Sequence, residues 1–170
     1  MKVVLYMAIS VDGYIAKADD EVTWSDAEWQ NYKSMVQEAG NLIIGRKTYD
    51  IFMEDGGFGE LGNPKVLVVS SKRKVSEDSN VIWVNSFEEA LEKLENMNMG
   101  MVLVGGGANL NRLALESGKI DEIYLDVEPV LYGKGISLFD PIVKEVSVEL
   151  LEVNKYGGGG VQLHYKVKKD

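Results

Sequence analysis

At 170 residues, with 45% apolar and 26% charged side chains, the chain is long enough for one domain with a real core and is ordinary for a globular protein. It has no cysteine and a single histidine, His164, which excludes disulfides, thiolate metal sites and histidine-rich metal sites. A net charge of −9 argues against a nucleic-acid partner, and no apolar run reaches the roughly 18 residues of a membrane helix.

The N-terminal run Val3 to Ile9 is β-rich and ends in the turn cluster Ser10-Val11-Asp12-Gly13. No cleavage pattern follows it, so it reads as a first strand rather than a secretion signal, and a cytoplasmic location is expected. Residues 26–39 read as a helix, with Ser25 as N-cap, Asp26 and Glu28 in the first turn and Gly40 as the stop. Asn41 to Ile44 is a short buried strand that switches to helix at Gly45, and residues 56–64 form a loop. Lys65 to Val69 and Val81 to Val84 are strands. Ser86 and Glu89 make a capping box for a helix whose Phe87, Ala90, Leu91 and Leu94 recur at helical spacing.

Met101 to Val104 is a buried strand that runs into Gly105-Gly106-Gly107 and then a helix to about Ser117. Ile120 to Glu128 is a strand; Val146 to Lys155 and Val161 to Val167 alternate around the Gly157–Gly160 loop and read as a hairpin. The pattern predicts an α/β fold in one domain spanning 1–170, with a mostly parallel central sheet and an antiparallel C-terminal hairpin. Apolar strands near the C-terminus need cover, and a homodimer would supply it.

Three segments carry the binding chemistry. The turn Gly105-Gly106-Gly107-Ala108-Asn109-Leu110 lets backbone approach a ligand at a helix start, although it fits neither the dinucleotide fingerprint nor a P-loop. Gly45-Arg46-Lys47-Thr48 sets two cations and a hydroxyl at another helix start. Ser70-Ser71-Lys72-Arg73-Lys74 follows a third strand and suits a phosphate monoester. Each alone is as readily a solvated turn. All three follow strands of one sheet, whose ends converge on the ligand crevice in open α/β folds. Together they fit a ligand with a pyrophosphate and a separate phosphate, such as NADPH.

Taken in order, Ser10-Val11-Asp12-Gly13-Tyr14-Ile15-Ala16, Trp24, Gly45-Arg46-Lys47-Thr48-Tyr49, Val69-Ser70-Ser71, Val104-Gly105-Gly106-Gly107, Asp121-Glu122-Ile123-Tyr124-Leu125 and the final hairpin resemble the dihydrofolate-reductase-like superfamily. That group includes dihydrofolate reductase and the reductase domain of the bifunctional riboflavin-biosynthesis deaminase-reductase. The resemblance implies a three-layer fold that binds NADPH. Gly45, Arg46, Lys47 and Thr48 would touch its phosphates, and Ser70, Ser71 and Lys72 or Arg73 would hold the 2′-phosphate. Gly105, Gly106, Gly107, Ala108, Asn109 and Leu110 would cover the pyrophosphate, and Ala8 and Ile15 would flank the nicotinamide. Trp24, Tyr49 and Phe52 would face the substrate, with Glu28 (Asp26 being the second match on that helix) and Asp12 as the acids of the reaction.

The implied activity is reduction of a pteridine- or pyrimidine-like compound, of the 5-amino-6-(5-phosphoribosylamino)uracil reductase or dihydrofolate reductase type. Here Tyr14 replaces the lysine usual in the riboflavin enzymes, and Gly105 replaces the acid of their Glu-Gly-Gly. Gly-Arg-Lys-Thr-Tyr is closer to dihydrofolate reductase, but the position that usually carries a threonine beside its acid is Asp126. Each acid also has a plain structural role open to it: Asp26 and Glu28 suit the helix dipole, and Asp12 suits a turn. Trp24 and Trp29 suit a core, and His164 suits a strand. A non-catalytic nucleotide-binding module on the same fold, or a ligand-free interaction domain, are the alternatives.

Overall fold

The computed structural model describes residues 1–72, 78–141 and 145–169. Its frame is one sheet built from β1 (Lys2–Ser10), β3 (Asn41–Gly45), β4 (Lys65–Val69), β5 (Val81–Val84), β6 (Met101–Val104), β7 (Glu122–Glu128), β9 (Val148–Lys155) and β10 (Val161–Val167). The order is β5-β4-β3-β6-β1-β7-β10-β9; the first six run parallel, and β10 and β9 follow antiparallel. This is the α/β arrangement expected, hairpin included. The central strands are nearly pure Val, Leu and Ile because helices cover both faces there.

Helices α1 (Asp26–Ala39) and α2 (Arg46–Glu54) pack on one face, over Val4, Tyr6, Leu42, Ile44, Val66, Val68 and Leu103. Helices α3 (Phe87–Asn96) and α4 (Ala108–Glu116) pack on the other, over Val3, Leu5, Ile43, Leu67, Val102 and Val104. The Ser25 hydroxyl accepts from the Glu28 N–H, and Gly40 ends α1 in the left-handed region at φ 66°. Buried Asn41 ties the layers: its amide donates to the carbonyls of Ala39 and Met101 and accepts from the Leu103 N–H.

Two features differ from the alternation read in the sequence. A small antiparallel pair, β2 (Tyr14–Lys17) with β8 (Gly135–Ser137), lies beside the main sheet. It joins segments far apart in the chain, so no local turn signal marks it. Strand β9 is exposed along its length, including Val148, Leu150, Leu151 and Val153. It lies at the sheet edge, beyond the helices, so neither of its faces is covered by the described residues.

Candidate active site

Because β1, β3, β4, β6 and β7 are parallel, their ends at Ser10, Gly45, Val69, Val104 and Glu128 share one edge of the sheet. The glycine turn and the start of α2 meet there directly. The Gly45 N–H donates to the Gly106 carbonyl at 2.8 Å, and the Gly105 N–H donates to the Ile43 carbonyl at 3.0 Å. A Cβ at Gly105 would lie 2.8 Å from Leu42 Cδ1 and 2.9 Å from the Tyr32 hydroxyl, so only glycine fits. Gly106 has φ 94°, and the Gly106–Gly107 peptide is cis. A Cβ at Gly107 would lie 3.6 Å from Thr48 Oγ1, which places that hydroxyl against the turn.

Both α2 and α4 begin with a glycine N-cap and have no side-chain cap, whereas Ser25 and Ser86 cap α1 and α3. The first N–H groups of α2 and α4 are therefore left for water or an anion. Around them, Arg46 pairs with Asp50 at 2.7 Å and Lys47 with Asp20 at 2.7 Å, all on partly or fully exposed side chains. The Ser70 hydroxyl accepts from the Lys72 N–H and donates to the Lys72 carbonyl, while Ser71 and Lys72 are exposed. Arg73 and Lys74 lie outside the described residues. These groups fit a dinucleotide phosphate chain: two uncapped helix starts, a glycine turn that admits close approach, and cations and hydroxyls at the rim.

Next to this edge, α1 and β7 enclose a cluster of acids. Asp126 and Glu128 are two apart on β7 and so share its α1-facing side. Asp126 Oδ2 accepts from the Tyr6 hydroxyl at 2.6 Å and the Asn31 amide at 2.9 Å, and Oδ1 accepts from the Gln162 amide at 2.8 Å. Glu128 accepts from the Ser25 N–H and hydroxyl and from the Tyr156 hydroxyl, at 2.8, 3.0 and 2.7 Å. Ser25, Glu28 and Asn31 follow one another at helical spacing, which puts Glu28 between the two pinning contacts.

Glu28 is 4% exposed, and its carboxyl has no hydrogen bond among the described residues. Burial, then the nearby charges of Asp126 and Glu128, pushes its pKa up from 4.5 to about 8. Burial also raises Asp126, against the three hydrogen bonds that favour its anion. The Tyr6, Tyr32 and Tyr156 hydroxyls are all raised, chiefly by burial, so they are neutral donors. The Tyr32 hydroxyl, one turn after Glu28, is buried beside Gly105 without a hydrogen-bond partner among the described residues.

The other residues singled out in the sequence are dispersed. Both Asp12 oxygens are engaged, by the Ser10 hydroxyl and by the N–H groups of Tyr132 and Gly133. That is the turn-shaping arrangement, and it clamps the loop after β7 onto the end of β1. Trp24 stacks on Tyr132 at 5.7 Å in the same loop. Tyr49 packs edge-on to Trp83 at 5.1 Å, toward β5. Phe52 lies nearer the acids, 6.3 Å from the Tyr32 ring and 6.5 Å from that of Trp29.

Ala8 is buried on β1, paired in register with Asp126; Ile15 is half-buried on β2. Ala108 is buried, and Leu110 packs its side chain from α4 into the core. Asn109 is exposed and accepts from Arg112. His164 bonds Glu122 at 2.9 Å and stacks on Tyr124. Sequence reasoning missed Glu128, Tyr156, Asn31, Gln162, Tyr6 and Tyr32 as members of the acid cluster. The one available signal was the polar alternation of Glu122, Tyr124, Asp126 and Glu128 along a strand that also had an apolar face.

Sheet order and hairpin are those of the dihydrofolate-reductase-like class, and the relatives of the chain belong to it. The chain is 31% identical over 169 residues to the uncharacterized protein YwjB of Bacillus subtilis (strain 168), covering 96% of this chain and 97% of that one. It is 30% identical over 151 residues to dihydrofolate reductase type 15 of Escherichia coli, covering 85% and 90%. RibD of Acinetobacter baumannii has a similar fold, with a TM-score of 0.81 at 20% identity over 98% of this chain and 58% of that one. The model of the RibD C-terminal domain matches residues 1–162, and this chain belongs to that family.

Proposed function

We propose that this protein is an NADPH-dependent reductase of a pteridine- or pyrimidine-like small molecule. The observation that carries the reading is Glu28: a buried, proton-retaining carboxyl beside the sheet edge where α2 and α4 present uncapped N-termini. Family membership and the dihydrofolate reductase relative support it. Bound along that edge, the dihydronicotinamide would supply a hydride.

The chain's own part is binding, orientation and the proton. The N–H groups at Gly107–Leu110 and Arg46–Thr48 would hold the pyrophosphate, and Arg46 and Lys47 would add charge. Ser70, Ser71 and Lys72 take the 2′-phosphate. Phe52 and Trp29, partly exposed over the buried Tyr32, offer aromatic surface to a flat ring next to Glu28. Glu28 hydrogen-bonds the heterocycle and gives it a proton.

Titration of the purified protein with NADPH and NADH, followed by tryptophan fluorescence, tests the cofactor assignment. Clear preference for NADPH, then its oxidation in the presence of dihydrofolate or the diaminopyrimidine ribotide, is the expected result. Binding without turnover on either class of compound would favour a nucleotide-binding module, and no binding would refute the reading.

A further inference from the structure

Asp126 has no exposed surface, and its two oxygens receive three donors from three different elements: Tyr6 on β1, Asn31 on α1 and Gln162 on β10. An ionised carboxylate only accepts, so this set matches the anion; a neutral acid would present an O–H to one of the donors. Glu28 has no such set. The titratable groups that face it are Tyr32 from its own helix, Tyr6 from β1, Asp126 and Glu128 from β7 and Tyr156 from the turn before β10. None of them is a cation. The Tyr6 and Tyr156 hydroxyls are already committed to Asp126 and Glu128. Two buried carboxyls side by side cannot both ionise cheaply, and the three donors on Asp126 favour the charge there over Glu28, which receives none among the described residues.

We propose that Asp126 is a positioning residue for Glu28: an anion locked by three hydrogen bonds, which keeps the proton on Glu28 through the neutral range and makes Glu28 a donor toward the substrate. The use made of that proton rests on the reductase reading; the protonation state does not. The substrate atom that meets Glu28 is then an acceptor, a ring nitrogen with a free lone pair or a carbonyl oxygen. In the reaction the proton passes from the Glu28 carboxyl to that atom, and Glu28 is left as a carboxylate. The direction of the Glu28 pKa agrees with this arrangement.

The test is a pH titration of the side-chain carboxyls by carbon-13 NMR on protein labelled at glutamate, in wild type and in the Glu28→Gln, Asp126→Asn and Glu128→Gln variants. A glutamate signal titrating well above the ordinary range, and absent from Glu28→Gln, is expected in wild type. Asp126→Asn should lower that midpoint by at least about one pH unit, and Glu128→Gln by less. If Asp126→Asn does not fold, Asp126→Ser replaces it. A wild type with no high-titrating glutamate, or a midpoint unmoved by loss of Asp126, overturns the proposal. The pH profile of NADPH oxidation should move with the midpoint. A midpoint that shifts in protein without reductase activity would sustain the role of Asp126 while removing the reductase reading.

Discussion

Replacing Glu28 by glutamine keeps the shape of the side chain and removes its titration. In the folded protein Glu28 holds its proton up to about pH 8, whereas its ordinary value is 4.5. Through that window the native state binds a proton that the unfolded chain has released, so stability falls as pH rises. The slope is about 1.4 kcal/mol per pH unit, or roughly 5 kcal/mol over the full window. Between about pH 6 and about pH 8 the loss is about 2 kcal/mol, because the titration levels off at its upper end.

The Glu28→Gln variant should match wild type below about pH 4 and grow progressively more stable than it as pH rises, by about 4 kcal/mol or about 8–16 °C in Tm near pH 8 for a chain of this size. Asp126 adds a loss of the same sign, starting from its own lower ordinary value, and this persists in the variant. Urea unfolding followed by tryptophan fluorescence across the pH range reads the difference directly. Parallel stability curves for the two proteins would refute the buried, protonated Glu28 and the mechanism drawn from it.

Other perturbations probe the remaining parts of the site. Lys72→Ala removes a charge-assisted contact to the 2′-phosphate, worth about 1.5–3 kcal/mol, and should weaken NADPH roughly tenfold or more while affecting NADH little, whereas Arg46→Ala, at the pyrophosphate, should weaken both; equal weakening of the two by Lys72→Ala in fluorescence titrations counts against the assignment. Gly105→Ala drives a methyl into Leu42 and the Tyr32 hydroxyl, and should cost about 1–3 kcal/mol in urea unfolding. Ser25→Ala loses both the cap of α1 and a bond to Glu128, so it should cost more than the cap loss of about 1 kcal/mol expected for Ser86→Ala. Equal costs would mean that the contact between Ser25 and Glu128 contributes nothing.

Much of the frame was legible before any coordinates. Lys65–Val69, Val81–Val84 and Met101–Val104 are buried parallel strands whose apolar runs mark their limits. Helix α1 spans 26–39 as read, because Ser25 and Gly40 are local end signals that act within a few residues. The glycine turn and the Gly45 helix start were visible for the same reason: their chemistry is written in consecutive residues. Glu28 entered as a candidate through the family resemblance, with Asp26 second; the local pattern by itself gave both only a helix-dipole role.

What surrounds Glu28 was not legible in the sequence. Asp126 and Glu128 are about a hundred residues away in the chain, and Gln162 and Tyr156 come from the final hairpin. Glu28 in a solvated first turn would be an ordinary carboxylate stabilised by the helix dipole. Packing α1 across β1 and β7 excludes water from it and brings two acids alongside, and those two effects raise its pKa. The same packing gave Asp12 to a loop clamp, because the strand ends place the Tyr132 and Gly133 N–H groups over it. Local order followed from short-range signals along the chain. The identity of the proton-holding residue was decided by long-range packing, since desolvation and charge proximity exist only once distant strands and helices have closed around the group.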